Sequence, residues 1–254
     1  METIKSCSHR STNKRVFKII TTEDISGKLI LDIGAGMGFM AQLLGSHIKN
    51  RGGIPSDLIT ACDLYPEYFS YKDIVCKKVE FINALPFDEG SFDIVYAIEV
   101  IEHLKDPYGF IQDMFRVVRR GGKVIITTPN ILNLASRFSY LLAGFFELFG
   151  PLSFDKEDVR HQWGHIMPLS AYYLNHAMRT CGYINTEFHF DRIKRSSLFL
   201  FLLLFPVLKF SAFMYARRFQ RKKPQLYRDN KQELKLINGW KLCCSRSVVL
   251  VGYK

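Results

Sequence analysis

Apolar residues in the first half of this chain fall into short unbroken runs, each closed by glycine, proline or acidic residues. Leu29–Gly34, Leu58–Leu64, Val79–Ala84 and Phe92–Ile98 are four such runs. Runs of this length between turn signals predict strands buried on both faces. A fifth, Lys123–Thr128, is closed by Pro129. Between them the spacing turns helical. Phe39–Ile48 is mostly apolar, and Pro107–Val118 sets Phe110, Met114, Phe115 and Val118 on one side before Gly121-Gly122. Ser170–Thr180 predicts a further helix stopped at Gly182, and Ile184–Phe190 and Val248–Tyr253 predict the last two strands. Strands alternating with helices predict an α/β, doubly wound, mostly parallel sheet in a single domain, 1–254. Residues before Lys28 read as a short helical or irregular lead-in.

One stretch breaks this pattern. Ser196 to Ala216 is almost wholly apolar, with Pro206 and Lys209 near its middle. At about 20 residues it is long enough to span a bilayer. If the last two strands pair in one sheet, however, both its flanks lie on the same side of a membrane. A shallow hairpin bent near Pro206, or an interfacial helix, is therefore expected. Phe138–Leu152 is a second apolar, aromatic stretch. It marks 131–168 as a substrate or cap region, while 192–246 reads as a basic apolar insertion before the last strand. The bland alternative for both is a buried helical cap or a dimer interface.

Charge sharpens the picture. The chain has 254 residues, 35 basic and 24 acidic, for a formal charge of +11. Between Arg192 and Arg246 stand 14 basic and 2 acidic residues, so this segment alone carries 14 − 2 = +12. Basic flanks around an apolar block point to an anionic membrane surface. An RNA backbone is the less favoured partner, because the apolar block interrupts the basic run. The six cysteines show no C-x-x-C spacing, which fits a reducing compartment. Cys243-Cys244 is a candidate for acylation or for ordinary packing. The polar, basic beginning carries no secretory pattern. The expected location is cytoplasmic, peripheral or monotopic at the inner face of a membrane.

The candidate chemistry begins at Asp32. The spacing D-x-G-x-G-x-G, Asp32 to Gly38, joins a strand to a helix through a loop that a ligand can approach closely. An acid at its head disfavours phosphate and favours a cationic ligand. Asp63, ending the second strand, is placed for ribose hydroxyls, and Asn83 and Ala84 for a base edge. After the fourth strand, Glu99, Glu102 and His103 form E-x-x-E-H, where ligands of open α/β sheets bind. Two carboxylates and an imidazole suit a divalent cation. A structural alternative has Glu99 touching only the cofactor and His103 bracing a short helix.

With LDIGAGMG (Leu31–Gly38), Asp63, NALPFDEGSFDIVYAIEVIEHL (Asn83–Leu104) and RRGGKVIITTPN (Arg119–Asn130) in register, the chain resembles the class I S-adenosylmethionine-dependent methyltransferases. The resemblance implies a seven-stranded sheet with an antiparallel last strand. It implies S-adenosyl-L-methionine as cofactor, with Gly34, Gly36 and Gly38 along the methionine part, Asp32 on its ammonium and Asp63 on the ribose. Asn83 stands where many relatives have an acid facing adenine. The E-x-x-E-H spelling resembles the ubiquinone-biosynthesis O-methyltransferases and the small-RNA 2′-O-methyltransferases. It implies a divalent ion such as Mg²⁺, held by Glu99, Glu102, His103 and a later histidine, His161 or preferably His165. Glu99, His103 and His165 are then the candidate catalytic residues. The expected reaction is O-methylation of a small-molecule, lipid or lipid-linked sugar acceptor. RNA 2′-O-methylation and non-catalytic cofactor binding at a membrane are the alternatives. The oligomeric state is open.

Overall fold

The computed structural model describes residues 4–80, 84–155 and 164–254. Its centre is a seven-stranded sheet of β1 (Ile30–Ile33), β2 (Ile59–Asp63), β3 (Cys76–Lys78), β4 (Phe92–Ile98), β5 (Val118–Pro129), β6 (Ile184–Phe190) and β7 (Ser247–Tyr253). Their spatial order is β3-β2-β1-β4-β5-β7-β6. β7 runs antiparallel between β5 and β6, and the β1–β5 neighbours pair in parallel.

Alternate residues of the central strands feed two separate cores. Leu31, Ile33, Val95, Ala97, Val124 and Ile126 pack on one face with α4 (Pro107–Val117) and α6 (Ala171–Cys181). Ile30, Ile94, Tyr96 and Ile125 pack on the other with α1 (Arg10–Ile20) and α2 (Phe39–Lys49). Burial on both faces explains why these strands read as continuous apolar runs. Local signals set the helix ends. Asp106 caps α4 through Gly109 N–H at 2.9 Å, and Ser170 caps α6 through Tyr173 N–H at 3.3 Å. Gly182 ends α6 at φ +107°.

The third strand departs from expectation. It lies at Cys76–Lys78, pairing with Ala61–Asp63, before the expected start at Val79, and residues 81–83 of the expected run lie outside the described residues. A three-residue edge strand has one neighbour and little buried surface, so two lysines suit it better than an apolar run. The fifth strand starts earlier than expected, at Val118. A register shift between Phe92 and Ile94 absorbs Arg119–Gly122 into the ladder.

The apolar block between β6 and β7 forms one helix, α7 (Arg195–Lys222), with Pro206 inside it. No reversal occurs at Pro206. A proline removes one helical hydrogen bond and kinks the rod, whereas a reversal needs turn residues that LLLFPVLKF lacks. The chain turns back instead at Lys223-Pro224, through α8 (Pro224–Asp229), α9 (Lys231–Ile237) and α10 (Trp240–Cys244). The first turns of α7 rest on α5 (Leu134–Ala143) and α10, where Phe201, Leu134, Cys243 and Cys244 form a small core. Both cysteines are fully buried there, so they pack and are not open to acylation.

The return path decides how α7 can meet a membrane. The helix is about 42 Å long at 1.5 Å per residue. Eight residues after its end, Asn230 accepts a hydrogen bond from the Tyr172 hydroxyl of α6 at 2.9 Å. Arg179 of α6 pairs with Glu233 at 3.0 Å. Largely helical, that connection reaches at most about 20 Å. The far end of α7 therefore stays beside the domain and cannot lie across a hydrocarbon core of about 30 Å. The helix lies along the domain, with Phe199, Leu202, Leu203, Val207 and Phe210 each more than 60% exposed.

Candidate active site

The carboxyl ends of the parallel neighbours β2, β1 and β4 lie side by side. After β1, Gly34, Gly36 and Gly38 all take positive φ, at +70°, +52° and +88°, a region that L side chains resist. Two also have no room for a side chain. A Cβ on Gly34 would stand 2.4 Å from Val100 Cγ2, and one on Gly38 would stand 2.9 Å from the Phe69 ring. Gly34→Ala is expected to cost about 2–3 kcal/mol, by strain plus overpacking, read as a lower thermal midpoint. An unchanged midpoint would show that the loop takes another path.

Asp63, ending β2, closes the loop from the far side. Its Oδ2 accepts Gly36 N–H at 2.8 Å and its Oδ1 accepts Tyr65 N–H at 2.9 Å. The carboxylate is thus held at the rim, with lone pairs left for a ligand. Asp32 lies deeper, almost wholly buried, and its Oδ2 has no hydrogen-bond partner among the described residues. Burial pushes its carboxyl up to about 7, the Tyr96 hydroxyl opposes that, and the charge of Asp63 adds to it. A cationic group would restore its ionised form. Asn83 and His161 lie outside the described residues. Ala84 is exposed and precedes Leu85, whose N–H is held by the Asp113 carboxylate.

Beyond β4 the chain folds into a single 3-10 turn, Ile101–His103. Potential ligand atoms of Glu102, His103 and His165 all lie within 4.8 Å of one another. The backbone builds this cluster. The carbonyl of Glu102 accepts Ile166 N–H at 2.9 Å and Met167 N–H at 3.0 Å, which fastens the His165 segment to the turn. His103 Nδ1 faces the Gly164 carbonyl at 3.0 Å. That bond places the ring proton on Nδ1 and leaves the Nε2 lone pair free. The rings of His103 and His165 meet edge to face at 4.8 Å.

Electrostatically the cluster is unfinished. Glu102 is fully buried, and neither carboxylate oxygen has a hydrogen-bond partner among the described residues. Burial, then the charge of Glu99, pushes its carboxyl well above the usual range. Burial pulls both histidines down, with the Gly164 carbonyl opposing it at His103 and the neighbouring imidazole adding to it at His165. His165 Nδ1 also has no partner among the described residues. Two neutral imidazoles and a carboxyl with empty lone pairs fit a divalent cation.

Glu99 is not among the three residues whose ligand atoms gather in this cluster. Its backbone is left-handed, at φ +53°, a cost of about 1–2 kcal/mol. Its N–H donates to Thr127 Oγ1 at 3.0 Å. Its Oε1 accepts Ser247 Oγ at 2.9 Å and pairs with Arg246 at 3.3 Å. The sequence reading overlooked Arg246 and Ser247. They sit 147 and 148 positions from Glu99, and only the insertion of β7 beside β5 brings them near.

Comparison with known proteins agrees with this geometry. The sequence model of a family described as "Methyltransferase domain" matches residues 31–126. The chain is 30% identical over 109 residues to a probable S-adenosylmethionine-dependent methyltransferase of Mycolicibacterium smegmatis, covering 41% of this chain and 39% of that protein. It is 31% identical over 116 residues to a ubiquinone biosynthesis O-methyltransferase of Xanthomonas oryzae pv. oryzae, covering 42% and 45%. The chain thus spans less than half the length of these relatives. Among solved structures, an S-adenosylmethionine-dependent methyltransferase from Archaeoglobus fulgidus superposes with a TM-score of 0.58 at 16% identity. That match covers 97% of this chain and 95% of the other and shows the same fold. The matched segment, which runs from the aspartate-headed glycine loop through β4 into β5, is similar in sequence to S-adenosylmethionine-dependent methyltransferases, and the whole chain shares their fold.

Proposed function

We propose that the chain transfers the methyl group of S-adenosylmethionine to an oxygen of a small, apolar-tailed acceptor met at a membrane surface. The observation that carries the oxygen assignment is the buried Glu102–His103–His165 cluster beside the glycine loop. The bond from sulfur to methyl breaks, a bond from acceptor oxygen to methyl forms, and S-adenosylhomocysteine leaves. The hydroxyl proton needs a receiver, and the free Nε2 of His103 supplies one. Alignment of donor and acceptor does most of the remaining work. Asp63 and the glycine loop hold the donor. Asp32 faces its ammonium.

In place of that base role, the same cluster would hold a divalent ion through Glu102, His103 and His165, with His103 Nε2 then a ligand rather than the proton acceptor. Such an ion would lower the pKa of a bound acceptor hydroxyl. Two imidazoles with one carboxylate suit Mn²⁺, Fe²⁺, Co²⁺ or Zn²⁺ better than Mg²⁺, which prefers oxygen.

The membrane assignment rests on α7, whose outer side is apolar and whose ends carry Arg192, Lys194 and Arg195, and Arg217, Arg218, Arg221 and Lys222. Lying along the domain, it suits shallow insertion among anionic headgroups. Those headgroups would belong to the inner face of a membrane, with the domain on the cytoplasmic side. Double substitution Leu203→Glu and Phe210→Glu is expected to abolish flotation with phosphatidylglycerol vesicles, without lowering the thermal midpoint, since both side chains are already in solvent. Flotation equal to the unsubstituted chain would remove this part of the reading.

A further inference from the structure

Next to the cluster lies a cavity of about 600 Å³ whose lining is strongly cationic. Arg192, Lys194, Arg195 and Arg246 face it, against one acid, Glu147. Glu147 pairs with Lys194 and Glu99 with Arg246. Arg192 faces the imidazole ring of His9, and neither Arg192 nor Arg195 forms an ion pair among the described residues. Positive charge therefore remains in excess, and three of its four carriers are guanidinium groups with the fork geometry that matches phosphoryl oxygens.

Two helices begin at this cavity. α5 is capped by the Asn133 side chain, which accepts Ser136 N–H at 2.9 Å and Ser197 Oγ–H at 3.0 Å. α7 starts one residue after Lys194 and has no side-chain cap. Helix N-termini add positive potential and unpaired N–H groups. Leading away from the cavity, each helix presents exposed apolar residues: Leu141 and Leu142 on α5, Phe199 and Leu202 on α7. Through Arg246, one wall of the cavity touches Glu99 at the end of β4.

We infer that this cavity receives a phosphoryl anion carried at the head of an amphiphilic acceptor, whose apolar chain leaves along α5 and α7. The inference rests on the reading of the chain as a methyltransferase for an apolar-tailed acceptor, and it adds the head chemistry. The same phosphoryl chemistry could reach the cavity from one soluble amphiphile or from the headgroups of a bilayer. The structure favours the single molecule, because the site is a cavity between helix starts rather than a flat basic face.

Calorimetry on the full chain tests this with four ligands: farnesyl diphosphate, farnesol, inorganic pyrophosphate and S-adenosylhomocysteine. Farnesyl diphosphate is expected to bind at least about tenfold tighter than farnesol or pyrophosphate. Arg195→Glu should remove at least about tenfold of that affinity, and Arg195→Lys, which keeps the charge but loses the fork, should remove less. Arg195 is exposed at a helix start, where an acid is tolerated, so the fold is expected to survive. S-adenosylhomocysteine should bind both variants like the unsubstituted chain. Equal affinity for farnesyl diphosphate and pyrophosphate, or indifference to Arg195→Glu, overturns the inference. So does binding to phosphatidylglycerol vesicles with none to soluble farnesyl diphosphate. Failure of the unsubstituted chain to bind S-adenosylhomocysteine would instead sink the methyltransferase reading.

Discussion

Glu102→Met is expected to lower methyl transfer at least about 100-fold while leaving thermal stability unchanged or higher. The two halves of that result have one cause. Glu102 is fully buried, with both carboxylate oxygens unpartnered among the described residues. A buried polar group without a partner costs about 1–3 kcal/mol. Methionine fills nearly the same volume and carries no such cost. A residue kept at the expense of stability is one kept for function. Losing the acid removes the one carboxylate among the described residues that closes on His103 and His165, and general acid–base groups are worth about 10²- to 10⁴-fold. The backbone carbonyl of residue 102 still holds the His165 segment, so the site should keep its shape. Turnover with labelled S-adenosylmethionine and a thermal melt measure both halves. Turnover within about threefold of the unsubstituted chain would show that the cluster is only structural.

Asp63→Ala is expected to weaken S-adenosylhomocysteine about 100-fold, equivalent to about 3 kcal/mol. Hydrogen bonds to a charged group are worth about 1.5–3 kcal/mol each, and a ribose offers two hydroxyls. The substitution also frees Gly36 N–H and Tyr65 N–H, so the loop loses the anchor that shapes it. Calorimetry reads the change, and an effect below about fivefold would move the ribose elsewhere. A pH series adds a second check. Asp32 is held near 7 by burial. Its ionised form attracts the ammonium of the ligand, so affinity should rise as pH climbs through about 7. In Asp32→Asn that rise should vanish.

The parts of this fold legible from sequence are those whose signal is local. β4 and β6 fall at their expected residues, and α4 and α6 differ by a residue, because apolar runs, Asp106, Ser170 and Gly182 act within a few positions of themselves. What could not be read is non-local. β3 is two lysines and a cysteine on an edge, which no apolar pattern marks. The path of α7 depends on Asn230 and Glu233 reaching α6, contacts that span 54 or more positions. At the site, E-x-x-E-H and His165 were visible as residue types in order. Which of the two glutamates turns inward was not, since it depends on the left-handed backbone at Glu99 and on Arg246 arriving with β7. The cationic cavity was legible only as a charge excess, because its walls come from β5, the segment after α5, and both borders of the insertion.

The most direct test is methyl transfer from labelled S-adenosylmethionine to a membrane lipid extract of the source cells, with Mn²⁺ or Zn²⁺ present. The account predicts label in an apolar, O-methylated product, with one S-adenosylhomocysteine released per methyl and the signal abolished by Glu102→Met. Tight binding of S-adenosylhomocysteine with no label transferred, with or without the metal, would contradict it and leave a membrane-bound cofactor-binding protein.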